Sequence, residues 1–368
     1  MMSVDPLVPM ETAGRLERLR ARFDALECDG LLVTHLTNVR YLTGFTGSAG
    51  MLLVGPDLAL LVTDGRYGSQ APEQVLSSGA PVEVAVTGDR QKEAVSGSMT
   101  GITRLGLEAA NVTWAAHRRY ESDWFEVPLV ATEGAVEQLR IEKDPGEIDR
   151  MRRAGAIADA ALASVRPMLN ERPTEQVFGR ALDAAMRELG ADGPSFETIV
   201  ASGPNGARPH HRPSERTIES GDLVVLDFGA RVHGYCSDMS RTVSVGACSE
   251  VQSRMLAVVL DSQAQGVDAI AAGVDAATVD RACRDVIDSA GWGDAFVHGT
   301  GHGVGLDVHE APRVAKTSGD TLAAGHVVTV EPGVYLPDHG GVRIEDMLVV
   351  TDRGCEPLTL TSKLTSVV

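Results

Sequence analysis

GDLVVLDFGARVHGYCSDMSRTVSV, residues 221–245, reads as two apolar strands joined by a turn near Val232–Gly234, with one aspartate in each strand. Aspartate is depleted in strands, and burying an unpaired carboxylate is costly. Asp227 and Asp238 stand an odd number of positions apart, so a two- or four-residue turn puts both on one face of the ladder. Directly opposed, their Cβ atoms would lie about 4.5–5.5 Å apart. Two carboxylates that close need a shared proton or a cation between them.

A second hairpin repeats the theme. In HVVTVEPGVYLPDHGGVRIEDMLVVT, residues 326–351, Glu331 follows one apolar strand and Glu345 follows the next. A five-residue loop over Leu336–Gly340 would set them opposite each other. Each hairpin is preceded by two amphipathic helical stretches, at about 147–168 and 173–190, then about 250–272 and 276–290. Helix–helix–hairpin therefore occurs twice, as a repeat of element order without repeated residues. One acid in such a place would read as an edge-strand gatekeeper or an ion-pair partner. Four acids in pairs point instead to an oxygen-rich site with room for two divalent cations.

GTGHGVGLDVHEAP, residues 299–312, lies just before the second hairpin and holds His302 and His309. Three glycines between residues 301 and 305 disfavour helix, each costing about 1 kcal/mol relative to alanine. In extended chain an odd spacing sends the two rings to opposite faces unless the backbone bends, and glycines permit a bend. Alone, the stretch could be a surface loop with two incidental histidines. The four acids around it argue for a site.

The chain has 368 residues, a formal charge of −18, 43% hydrophobic and 23% charged residues. Its length suggests two domains. The apolar runs GLLVTHL, MLLVG, LALLVT, VEVAVT and RLGLEA, with helical stretches between them, predict an α/β domain over residues 1–135. The polar stretch 136–147, with Pro145-Gly146, reads as a linker, and residues 148–368 as an α+β catalytic domain. The negative charge disfavours nucleic acid as a partner. No apolar run approaches the ~20 residues that span a bilayer. The first residues lack the basic and apolar regions of a secretory signal. Five scattered cysteines, without a CxxC pair, read as reduced thiols, so a cytoplasmic protein is expected.

LDFGARVHGYCSDMSRT, GTGHGVGLDVHEAP, VEPGVY and GVRIED together resemble the pita-bread metallopeptidases, in particular the Xaa-Pro peptidase branch of prolidase and aminopeptidase P. NVRYLTGFTGSAG (38–50) and VTDGRY (62–67) resemble their smaller creatinase-type N-terminal α/β domain, and RIEKDPGEIDRMRRA (140–154) the entry to the catalytic domain. The resemblance covers essentially the whole chain. It implies that Asp227 chelates one metal ion, that His302 and Glu331 chelate the other, and that Asp238 and Glu345 bridge them. It implies His309 and His210 as a catalytic pair, with His211 the alternative to His210, and Glu331 also as proton shuttle. Arg343 and Tyr335 would line the substrate pocket, with Arg313 a second candidate cation for the substrate carboxylate. Four carboxylates and one imidazole suit Mn²⁺ or Co²⁺, with Zn²⁺ as the alternative.

The expected activity is hydrolysis of the bond before proline in a small peptide with proline at its second position, by a homodimer. A prolidase-type dipeptidase or permissive Xaa-Pro peptidase is preferred. The alternatives are an aminopeptidase P acting on longer peptides, metal-free creatinase-like hydrolysis, and a non-catalytic peptide-binding homologue. His298 reads as a supporting or structural histidine and Cys236 as packing. His35 and Arg40 read as structural or interfacial.

Overall fold

The computed structural model describes residues 6–363. The chain divides into two units. Of the described residues, Pro9–Arg140 form one unit, and residues 6–8 with 141–363 form the other. The first unit carries a six-stranded mixed sheet in the order β4-β3-β2-β1-β5-β6. Its strands are β1 (Gly30–Val33), β2 (Gly50–Val54), β3 (Ala59–Thr63), β4 (Glu83–Val86), β5 (Leu105–Glu108) and β6 (Leu129–Thr132). Helix α1 (Arg15–Arg20) precedes β1, and helices α2 (Leu36–Thr43), α3 (Gln70–Ser78), α4 (Gln91–Ser96) and α5 (Trp114–Arg119) lie between strands. Leu32, Leu53, Val62, Leu105 and Leu107 from the strands share one core with Tyr120 and Phe125.

The stretch expected as a linker, 136–147, is built into the fold. Val136 is fully buried, a short helix α6 spans Glu137–Arg140, and Arg140 donates to Asn38 Oδ1 at 2.7 Å. From Asp144 a capping box with Glu147 starts the next helix, and Pro145 occupies its first turn, where a missing N–H does no harm. The expected first-domain start at residue 1 also shifts. Val8 groups with the second unit, its N–H donating to Asp149 at 2.9 Å.

The second unit shows helix–helix–hairpin twice. Helices α7 (Pro145–Val165) and α8 (Glu175–Glu188) precede β7 (Gly193–Pro194), β8 (Ile199–Ser202), β9 (Leu223–Phe228), β10 (Ala230–Val232), β11 (Tyr235–Cys236) and β12 (Met239–Ser244). Helices α9 (Glu250–Asp268) and α10 (Ala276–Ser289) precede β13 (Gly301–Gly303), β14 (Glu310–Val314), β15 (Val327–Val330), β16 (Gly333–Leu336), β17 (Gly340–Arg343), β18 (Asp346–Thr351) and β19 (Gly354–Pro357). This is the α+β pita-bread architecture.

Each half has its own core, and strand alternation decides which side chains enter it. Val224, Leu226 and Phe228 of β9 pack with Leu162, Phe178 and Leu182 of α7 and α8. Val328, Val330, Val342 and Ile344 pack with Met255, Val259, Val279 and Cys283 of α9 and α10. The residues that alternate with them, Asp227, Glu331, Arg343 and Glu345, are thereby turned to the opposite face. No helix among the described residues is long and apolar enough to cross a membrane.

Two registers set the acids. In the first hairpin Asp227 pairs with Ser240, and Val232 pairs with Tyr235 around the two-residue turn His233–Gly234, where both φ angles are positive. That turn lies one residue beyond the one direct opposition needs, which moves every partner by two. Asp238 therefore shares a face with Asp227 but sits diagonally, not opposite as expected. In the second hairpin Gly333 pairs with Arg343 and Leu336 with Gly340, so the loop shortens to Pro337–His339. The expected register holds, and Glu331 faces Glu345 where the ladder opens between β15–β18 and β16–β17.

Candidate metal centre

At that opening the backbone of each glutamate turns to a neighbouring segment. Glu331 N donates to Thr300 O at 2.7 Å, and Glu345 N donates to Ser240 O at 3.0 Å. The buried Arg241 guanidinium donates to the Ser240 and Glu345 carbonyls and to Asp346 Oδ1, stitching the two hairpins together. The acids of both halves thus meet in one place.

His302 arrives on β13, the central strand of a close-packed trio. A Cβ at Gly301 would lie 2.0 Å from Thr329 O, and one at Gly303 would lie 2.1 Å from Ala311 O. Only glycine on each side of His302 lets the neighbouring strands approach so closely. The pairing with β14 is offset between His302 and Gly303, and the chain bends back over residues 305–309 between the two histidines. The ring centroids of His302 and His309 end 4.3 Å apart. His302 Nδ1 donates to Gly303 O at 3.0 Å, which leaves Nε2 unprotonated. Nε2 points at Asp238 Oδ2, 3.6 Å away, and Glu331 Oε1, 3.5 Å away. Burial lowers the His302 pKa to about 4, so the ring is neutral at pH 7.

One ligand atom each from Asp238, His302 and Glu345 lies within 4.8 Å of the others. Burial raises the Asp238 pKa well above 3.8, and the charges of Glu345, Asp227 and Glu331 raise it further. Burial also lifts Glu345, reinforced by Glu331 and Asp227. Glu331 is pushed up to about 8, chiefly by burial. Asp227 Oδ1 and Glu345 Oε1 are buried without a hydrogen-bond partner. Repelling carboxylates with orphaned oxygens beside an unprotonated imidazole nitrogen fit divalent cations.

Arg343 is 3% exposed and commits its donors inward. They reach Asp227 Oδ2 at 2.6 Å, Ser240 Oγ at 2.8 Å, Tyr335 Oη at 2.8 Å and Pro209 O at 3.3 Å. Ser240 Oγ in turn donates to Glu345 Oε2 at 2.9 Å. His298 Nδ1 donates to Gly299 O, so its Nε2 accepts the Tyr335 hydroxyl proton at 2.8 Å. Burial lowers the His298 pKa to about 4, consistent with this neutral tautomer. Arg343, expected with Tyr335 to line the substrate pocket, spends donors on Asp227 and the loop of Pro209, and the Tyr335 hydroxyl links it to His298. Ser240 was missed by the sequence reading. Its position two residues after Asp238, on the same strand face, was the signal.

His210 and His309 are both exposed. Burial lowers the His309 pKa, while nearby Asp227 raises it and nearby His210 lowers it. His211 instead turns inward, its Nε2 2.9 Å from Glu175 Oε2. Glu175 is fully buried and also accepts from Ser202, Asn205 and Ser214. Burial alone would raise its pKa, but hydrogen bonds from Ser214, Ser202 and Asn205 outweigh that and hold it at about 2 against the usual 4.5. A depressed carboxylate pKa stabilises the fold above the unfolded value and ceases to do so as pH falls through the folded one. Wild type is therefore expected to exceed Glu175→Gln by about 3 kcal/mol at pH 7 in urea unfolding. That margin should shrink between pH 4.5 and 2; a constant margin across this window refutes the ionised cage.

Two repeated hairpins presenting four carboxylates and a histidine define a metal-dependent hydrolase centre. Residues 149–352 match metallopeptidase family M24, and residues 15–141 match the creatinase/prolidase N-terminal domain. The chain is 43% identical over 351 residues to an uncharacterized peptidase of Bacillus subtilis, covering 95% of this chain and 98% of that protein. The solved structure of a Xaa-Pro dipeptidase from Bacillus anthracis matches with a TM-score of 0.93 at 39% identity, over 96% of this chain and 99% of that one. An X-Pro aminopeptidase structure from Thermotoga maritima matches with a TM-score of 0.88 at 33% identity, over 96% and 100%. The chain belongs to metallopeptidase family M24.

Proposed function

We propose that this protein is an exopeptidase holding two divalent cations, and that it cleaves the bond between an N-terminal residue and a following proline. The observation that carries the reading is the Asp238–His302–Glu345 cluster with its orphaned carboxylate oxygens. Asp227 would hold one cation, His302 and Glu331 the other, with Asp238 and Glu345 shared. Mn²⁺ or Co²⁺ suits this oxygen-rich set, with Zn²⁺ as the alternative. When bound, such cations polarise a carbonyl and lower the pKa of water.

The chain's own residues supply the rest. Glu331 has the most exposed side chain of the four acids, at 19%, against 1% for the whole of Glu345. It can take the proton of the attacking water and pass it to the departing proline nitrogen. His309, exposed near Asp227, and His210, exposed near His309, donate hydrogen bonds to the oxygen of the tetrahedral intermediate. Metal content of protein purified without added metal, followed by hydrolysis of Gly-Pro and Met-Pro, tests the reading. Metal-free protein that stays inactive after Mn²⁺ or Co²⁺ is added would overturn it. A cytoplasmic homodimer belongs to the same reading, checked by light scattering and cell fractionation.

The relatives' names include both a dipeptidase and an aminopeptidase, so substrate length turns on a cation for the proline carboxylate. With Arg343 buried and committed, Arg313 takes that part. It pairs across the ladder with His302, on the same strand face, and is exposed. Xaa-Pro dipeptide should exceed its proline amide in kcat/KM by about 10- to 100-fold, the equivalent of a charge-assisted hydrogen bond. Arg313→Met should erase the difference. Equal rates on dipeptide and amide, with Xaa-Pro-Xaa faster, would make the protein an aminopeptidase P.

A further inference from the structure

We infer that Glu175 is a positioning residue for hydrolysis, holding the loop that carries His210 in the orientation the reaction uses. The inference rests on the assignment of His210 given above.

Glu175 is the first residue of α8 and touches neither the acid cluster nor open solvent. Its carboxylate gathers both ends of the His210 loop. Ser202, where β8 ends, donates through N at 2.8 Å and Oγ at 2.7 Å. Ser214, beyond the loop, donates through N at 2.9 Å and Oγ at 2.6 Å. Asn205 Nδ2 and the His211 ring bind from within the span, at 3.0 and 2.9 Å. Arg216 donates to Ser202 Oγ at 2.6 Å and forms an ion pair with Asp222, bracing the cage from outside.

The consequence for His210 is geometric. With its neighbour His211 held inward by the buried carboxylate, His210 is left exposed and close enough to His309 to lower its pKa. The loop is tied independently to the metal hairpin. Pro209 O accepts from Arg343, which also donates to Asp227. Gly206 lies against Gly341 of β17 so closely that a Cβ at Gly341 would stand 1.9 Å from Gly206 O. One tether sets where the loop meets the site, and Glu175 sets how its ends are oriented. A displacement of about 1 Å in a catalytic group can cost 10²-fold in rate.

The test is a double-mutant cycle in the metal-loaded enzyme, read in kcat, KM and metal per chain for Glu175→Gln, His210→Ala and both together. Glu175→Gln should lower kcat by about 10- to 100-fold with metal content unchanged. In the His210→Ala background the same change should cost less than about twofold, because the group it positions is gone. An equal loss in both backgrounds, or no loss in either, overturns the inference while leaving the His210 assignment intact. If His210→Ala alone keeps wild-type kcat, the assignment itself fails. His211→Ala removes one donor of the cage and should show the same non-additivity at roughly three- to tenfold. It decides the matter should the Gln variant not fold, and additive losses there would equally refute the role.

Discussion

Replacing Asp238 by Asn, or Glu345 by Gln, is expected to abolish hydrolysis and release at least one cation per chain while the fold survives. Both side chains are buried, at 5% and 1% exposure, and each is repelled by the other acids of the cluster. A carboxylate placed between two cations neutralises both, and a neutral amide cannot. The fold survives because the amide removes one member of a mutually repelling set of acids, which without metal is offset by Arg343 and by the Ser240 hydroxyl on Glu345. The metal-free variants should therefore unfold at or above the temperature of metal-free wild type, whereas with metal the order reverses. Metal analysis, activity and thermal unfolding with and without chelator check this together. Two cations per chain with normal turnover in either variant would refute the ligand assignment.

The second large effect concerns the two histidines of residues 299–312. His309→Ala should lower kcat by roughly 10²–10³, the range for loss of an oxyanion donor, with metal content near wild type. His302→Ala should instead deplete metal. The rings are only 4.3 Å apart, so proximity does not separate their roles. Hydrogen bonding and exposure do. His302 has its Nδ1 proton fixed on Gly303 O and its Nε2 among carboxylates, while His309 is exposed. An emptied site in His309→Ala and a filled one in His302→Ala would reverse the assignment.

That Asp227 and Asp238 share a face followed from an odd spacing across a short turn. The register of Glu331 against Glu345 followed likewise, and survived a loop two residues shorter than expected. The position of the first turn did not follow. Either of two adjacent dipeptides could have formed it, and a one-residue difference moved Asp238 from opposite to diagonal. The burial of Arg343 was not legible, because a basic residue beside an acid motif reads the same whether it faces substrate or is spent inside. Its four partners come from Asp227, Ser240, Tyr335 and Pro209, and from no fixed spacing.

By itself, then, the sequence determined the twofold helix–helix–hairpin order, the residue types of the candidate metal donors and the common face of each pair of acids. These depend on alternation and turn length, which act over a few residues. Tertiary structure alone decided that the two hairpins open where their glutamates meet and are stitched by Arg241. It alone decided that Arg343 is buried and that His211 turns inward to Glu175. Each depends on segments that are distant in the chain and meet only when the two cores pack against their sheets. No local pattern encodes where a side chain from one of them finds its partner on the other.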